Sequence, residues 1–215
     1  MTAAVSLYDD FLESADIAAT LLADPAVAES WNEPSALAEF SVRGLAGHLA
    51  RQVLHTRDLL AAEPPEGECV TVMEHFTRAR WVGASPDHEI SVAVRRGGED
   101  VAAGGPEELA RRTTAAVVEL SGSLPKQPAD RLVQATGAPW LLTLPDFLLT
   151  RLVEIAVHDD DLSVSVGIDC PPLPTRAADT VLGLLTRLAE RRHGTTAVLR
   201  ALSRAERAPA TIAAF

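Results

Sequence analysis

Glu154 and His158 stand four residues apart in the run Leu152-Val-Glu-Ile-Ala-Val-His158. In a helix the two side chains share a face, with Cβ atoms roughly 5–6 Å apart. A carboxylate oxygen and an imidazole nitrogen can then converge on one divalent cation at roughly 2.0–2.2 Å from each. Taken alone, such a pair is more often a surface ion pair. Here it is embedded among Phe147, Leu148, Leu149, Leu152, Val153, Ile155, Ala156 and Val157. That run is expected to be buried, where an unpaired carboxylate is costly. A cation needs further ligands from another segment.

His48 is the candidate. It lies beside Leu45 and Leu49, offset by roughly 100–120° from the centre of its own apolar stripe. A lone histidine so placed is usually a hydrogen-bonded structural residue. His55, seven residues on, shares the face and is a rival third ligand. His75, His88 and His193 fall in expected loops or short helices, where solvation is the expectation. Cys69 and Cys170 lie in Pro-rich loops without CxxC spacing and are expected to be reduced thiols, not a disulfide framework.

The positioning elements read as helices. The first is expected from about 6 to 23, stopped at Asp24-Pro25, with a loop through Trp31 and Pro34. Ser41 reads as the N-cap of a second helix over 42–62, with Leu45, Ala46, Leu49, Val53 and Leu60 in one stripe. A short helix is expected over 70–81. Ser85-Pro86-Asp87 then reads as the start of another, closed by Gly97-Gly98, although the alternation in Ile90–Val94 would also suit a strand. Pro106-Glu107-Glu108 opens a long helix to about Ser123. Leu132-Val133 and Trp140-Leu141-Leu142 suggest a small hairpin around Thr136-Gly137. Thr143-Leu144-Pro145-Asp146 starts the most hydrophobic helix, to about Val166, apolar on nearly all sides and therefore central. Helices over 175–192 and 195–206 complete the chain. Helices around residues 10, 50, 115 and 155 make a four-helix bundle, with the last two packed against it.

Composition narrows the partners. The net charge of -11 and the absence of any Lys/Arg cluster argue against nucleic acid, whose phosphates need such clusters. No segment has the basic start and apolar core of a signal peptide, and no apolar run is long enough to span a bilayer. A cytoplasmic protein without a membrane partner is expected, and a homodimer stays open. Of the 19 basic residues only Lys126 is a lysine, which fits a GC-rich, actinobacterial source.

Two segments carry a family resemblance. Residues 31–50, Trp31-Asn-Glu-Pro-Ser-Ala-Leu-Ala-Glu-Phe-Ser-Val-Arg-Gly-Leu-Ala-Gly-His48-Leu-Ala, look like the N-terminal signature of the mycothiol-dependent maleylpyruvate isomerase family, one of the DinB-like metal-binding bundles. Residues 150–162, Thr-Arg-Leu-Val-Glu154-Ile-Ala-Val-His158-Asp-Asp-Asp161-Leu, resemble its second signature, an acid and a His one turn apart followed by an Asp. The tail from Val198 to Arg207 with Phe215 is similar to that of shorter members. The resemblance implies an all-α, DinB-like four-helix bundle, with one or two additional C-terminal helices and irregular connections, as a single domain over 1–215. It also implies a divalent metal held by His48, Glu154 and His158. Phe40 stands where many relatives carry Trp. The isomerase itself is expected to have an extra C-terminal domain for which this chain has no room, which counts against maleylpyruvate as the substrate.

Two His and one carboxylate leave a catalytic metal a position for an exogenous ligand. The expected chemistry is that of a transferase or isomerase: a low-molecular-weight thiol, mycothiol by the resemblance, is held as thiolate and attacks a small electrophile. Asp161 is a candidate acceptor orienting a ligating His, and Arg151 a candidate ligand for a substrate carboxylate, each with a surface or packing role as the alternative. Zinc is the first choice of metal. The same ligands also describe the non-haem iron triad, and nickel or another divalent ion could occupy a purified sample. The alternative of a different class is a non-catalytic metal- or thiol-binding protein on the same bundle.

Overall fold

Capping residues and prolines decide where each helix of this chain begins. The computed structural model describes residues 3–134 and 137–215. Helix α1 (Ala3–Leu22) ends before Asp24-Pro25. The same dipeptide then starts a short helix α2 (Pro25–Glu29): the Asp24 carboxylate accepts from the Ala26 N–H, and Pro25 occupies the first turn, where no N–H is needed. The expected plain loop therefore contains one helical turn. Ser41 caps α3 (Val42–Ala61) through the Gly44 N–H at 3.0 Å. Thr71 and Glu74 form a reciprocal capping box on α4 (Val72–Arg78). This box fixes a start two residues later than the spacing suggests.

Helices α6 (Pro106–Ser123) and α7 (Leu144–Val166) complete the bundle. Helices α1 and α3 each pack against both α6 and α7, so the four helices enclose one core. Phe11, Leu45, Leu49, Leu120, Phe147 and Leu148 meet there with essentially no exposed surface. Thr143 caps α7 through the Asp146 N–H, and Gly167 ends it at φ +73°, a left-handed conformation that glycine adopts without strain. The chain is thus a mainly helical bundle, as the sequence leads one to expect. No helix among the described residues is long and apolar enough to cross a membrane.

Strands β1 (Leu132–Gln134) and β2 (Leu141–Thr143) form the small antiparallel hairpin before α7, with Val133 opposite Leu142. Thr136, the first residue of the expected turn, lies outside the described residues. Residues 68–70 line up on the hairpin, the Leu141 N–H donating to the Glu68 carbonyl and the Val70 N–H to that of Leu141. Helix α8 (Thr175–His193) packs on α1 and α7, and α9 (Thr195–Ser203) packs on α8. The last helix ends three residues sooner than expected and gives way to a short 3-10 turn, Ala205–Arg207.

The largest departure from expectation is α5 (Glu89–Val101). Ser85-Pro86 forms only a turn, and the cap is His88, whose ring Nδ1 accepts from the Ile90 N–H at 3.2 Å. Gly97-Gly98 does not close the helix but lies inside it. The reason is a close crossing with α3. A Cβ at Gly98 would come within 2.2 Å of the Gly44 carbonyl oxygen, and one at Gly47 within 2.0 Å of the Gly98 carbonyl oxygen. The two backbones touch at glycines on both sides, a turn before His48 and directly beside it. Glu99 ties the crossing from the rim by accepting from the Ser41 hydroxyl at 2.5 Å and from Arg43.

This contact predicts opposite outcomes at neighbouring positions. Gly98→Ala is expected to lower stability by about 1–3 kcal/mol, because backbone must move. Gly97→Ala meets only the movable end of Arg51 at 3.1 Å and is expected to be neutral or stabilising by up to about 1 kcal/mol. Urea unfolding of the two variants reads the difference, and equal effects would contradict the crossing.

Candidate metal centre

The midpoint of α3 faces the middle of α7, and this is where polar side chains enter the bundle. His48 is buried, and Glu154 and His158 are half-buried at the edge of the core. The His48 Nε2 lies 3.1 Å from the Glu154 Oε2, and the His158 Nε2 lies 3.5 Å from the same oxygen. The two imidazole rings meet edge-to-face, 4.7 Å between centroids. One potential ligand atom from each of the three side chains falls within 4.8 Å of the others. Ligand atoms 2.0–2.1 Å from a tetrahedral ion are about 3.3 Å apart, so the two short separations fit a shared ion as well as the direct hydrogen bonds they make without one. The donor set, two nitrogens and one carboxylate oxygen, suits zinc and other divalent first-row ions.

Surrounding groups orient this set unequally. The His158 Nδ1 is hydrogen-bonded to the Asp161 Oδ2 at 2.9 Å, which leaves its Nε2 turned to Glu154. A carboxylate behind a histidine in this way fixes the ring and raises its basicity as a ligand. The His48 Nδ1 is buried and meets no protein partner among the described residues. The Gln52 amide donates to the His48 backbone carbonyl at 2.8 Å and lies 3.5 Å from the same Nε2 that faces Glu154. Phe40 covers the outer edge at 6.2 Å between ring centroids.

Arg151 is not a solvated side chain. Its Nη1 donates to the Gln52 Oε1 at 2.5 Å, its Nε to the Thr150 hydroxyl at 3.1 Å, and its guanidinium lies 5.3 Å from the centre of the Phe147 ring. The charge balance follows. Burial alone would raise the Glu154 carboxyl, but hydrogen bonds from His158 and His48 and the charge of Arg151 hold it well below the usual carboxylate range. Burial lowers His48. Burial also works against a charged His158, but Asp161 and Glu154 on its two sides outweigh it and hold the ring up at about 9.

The other histidines are placed as follows. His55 is half-buried beside Phe147, 6.4 Å between ring centroids, and is not in the convergent set. His88 caps α5, and the His193 Nε2 meets the Ala213 carbonyl at 2.8 Å. His75 departs from the expected solvation. It is 4% exposed, and the Trp140 indole N–H donates to its Nδ1 at 3.1 Å. Nothing in the spacing of the sequence links position 75 to position 140, since the hairpin and α4 meet only in three dimensions. Gln52, by contrast, follows His48 by four residues and was findable from helical spacing. Cys69 and Cys170 are free and exposed.

Residues 11–163 match the family described as mycothiol maleylpyruvate isomerase N-terminal domain. The matched span contains all three convergent side chains. No protein of curated function and no solved structure matches the chain.

Burial, then the nearby charge of Arg151, holds the His75 ring down to about 4 in the folded chain, against about 6.5 when unfolded. The unfolded chain therefore takes up a proton that the folded chain refuses. Stability present above pH 6.5 is lost as the pH falls toward 4, by about 2–3 kcal/mol from this residue. Urea unfolding at pH 7 and pH 4.5 is expected to show that much less pH dependence in His75→Gln, whose amide oxygen can still accept from Trp140.

Proposed function

The chain belongs to the mycothiol maleylpyruvate isomerase N-terminal domain family, and from that premise we propose that it is a metal-dependent enzyme joining a low-molecular-weight thiol, mycothiol, to a small electrophile. The observation that carries this reading is the convergence of His48, Glu154 and His158 at ligand-shell distances. We read residues 1–215 as one domain, with α8 packed on the matched span as part of it.

Three protein ligands are one fewer than a closed structural zinc site uses, which suits a site that accepts an exogenous group. A divalent cation there would supply charge that favours the thiolate form of an incoming thiol at neutral pH. Glu154 cancels only part of a 2+ charge, so the pocket favours an anion. His48 and His158 fix the geometry from two helices, and Asp161 keeps the His158 Nε2 aimed inward. Arg151, anchored through Gln52 and Thr150, has five N–H donors of which these bonds use two. It is suited to hold a carboxylate of the substrate beside the thiol. The sulfur lone pair forms a C–S bond to the electrophilic carbon. In a transfer, the leaving group departs with its bonding pair. In an isomerisation, the sulfur adds to a conjugated double bond, the carbon–carbon bond rotates, and expulsion of the thiolate restores the double bond.

Elemental analysis of the purified chain is expected to give about one divalent metal per molecule, falling well below stoichiometry in His48→Ala and Glu154→Gln. Asp161→Asn is expected to weaken metal affinity by about 10–100-fold without changing the ligand atoms. Incubation with mycothiol and a panel of α,β-unsaturated acids and alkyl halides, followed by mass spectrometry, is expected to yield a conjugate or an isomer. Tight thiol binding with no product from any electrophile would favour a sequestering protein.

A further inference from the structure

Helix α7 has a second polar surface that the metal centre does not use. Ala156 and Asp159 project roughly 120–180° around the helix from the Glu154–His158 face. They border a groove of about 400 Å³ between α7, the segment Cys170–Leu173 and α8. Val157, Pro172, Val181, Leu182 and Leu185 give it an apolar wall, and Asp159 and Cys170 are its polar members. Asp159 is 1% exposed, and neither carboxyl oxygen meets a protein hydrogen-bond partner among the described residues. A buried carboxyl left in that state is costly, and native interiors rarely keep one without a purpose. The groove takes neither an anion, which Asp159 repels, nor a bare metal ion, for which one carboxylate is too few ligands.

We propose that this groove is a binding site for a small organic cation, an ammonium group that donates hydrogen bonds to Asp159 while an alkyl or aryl body lies along the apolar wall. A charge-assisted hydrogen bond in an apolar setting is strong and directional, and the groove holds a body of about five to eight carbons with room to spare. Cys170 is exposed, and its Sγ donates to the Pro171 carbonyl at 3.6 Å; turning of this short side chain would admit the ligand to the carboxyl. Burial first, and then the negative field of Asp159 and Asp160 against the opposing Ser163 hydroxyl, push the Cys170 thiol up. Its part is therefore steric and not nucleophilic.

The probe is n-hexylammonium, compared with hexanol and hexanoate by calorimetry on the full chain as purified with its metal. The ammonium is expected to bind at least about ten-fold more tightly than the alcohol, with no binding of the carboxylate. Nuclear magnetic resonance shifts are expected to gather on Ala156, Cys170 and Leu185 and to leave His48 unmoved. Asp159→Asn, a neutral isostere, is expected to reduce the ammonium to the level of the alcohol. Ala178→Leu fills the groove from α8 and keeps Asp159 itself unchanged; it is expected to abolish binding of both, so the proposal does not depend on Asp159→Asn folding. Equal binding of ammonium and alcohol, binding that survives either substitution, shifts centred on His48, or no binding at all would overturn it.

Discussion

A carboxylate inside a helical bundle has to be answered by charge or hydrogen bonds, and Glu154 is answered three times. His48 reaches it from α3, His158 from one turn along its own helix, and Arg151 adds a half-buried positive charge. Removing any one of these leaves the others imperfectly compensated at a site that water reaches only in part. The same arrangement is what a divalent cation requires, since two imidazole nitrogens and one carboxylate oxygen at these separations satisfy it as they satisfy each other.

The constraint reaches outward through the helices that hold the three groups. Helix α7 supplies two of them because it is central, with Leu148, Leu152 and Ile155 fully buried around the polar pair. Helix α3 supplies the third at a depth set by its crossing with α5, where Gly44, Gly47 and Gly98 let two backbones touch beside His48. On the far side, Gln52 passes the hydrogen-bond chain from His48 to Arg151 and Thr150, joining the centre to the core of α7. The connection from α3 to α7 is therefore polar at the middle and apolar above and below it.

Much of this was legible in the residues. The bundle helices follow from their apolar periodicity and caps, because Ser41, Pro106 and Thr143 act within one turn of themselves. The Glu154–His158 pair follows from helical spacing, and the family signatures around it and His48 match the family found across residues 11–163. What escaped was non-local. Gly97-Gly98 reads as a helix stop from propensity, but the crossing with α3 makes small residues necessary inside a continuing helix. His75 reads as solvated because its partner, Trp140, sits on a hairpin sixty-five residues away. Asp159 stands in an Asp-Asp-Asp run, and only the packing of α8 shows that it is enclosed while Asp160 is exposed.

On the proposed reading, His48, Glu154 and His158 grip one ion and leave a place for sulfur. X-ray absorption at the metal edge, recorded before and after mycothiol is added, addresses it most directly. The expected shell is two imidazole nitrogens and carboxylate oxygen at roughly 2.0–2.2 Å, joined on addition of the thiol by one sulfur at about 2.3 Å. A shell without two imidazoles, or one that mycothiol leaves unchanged, would contradict it.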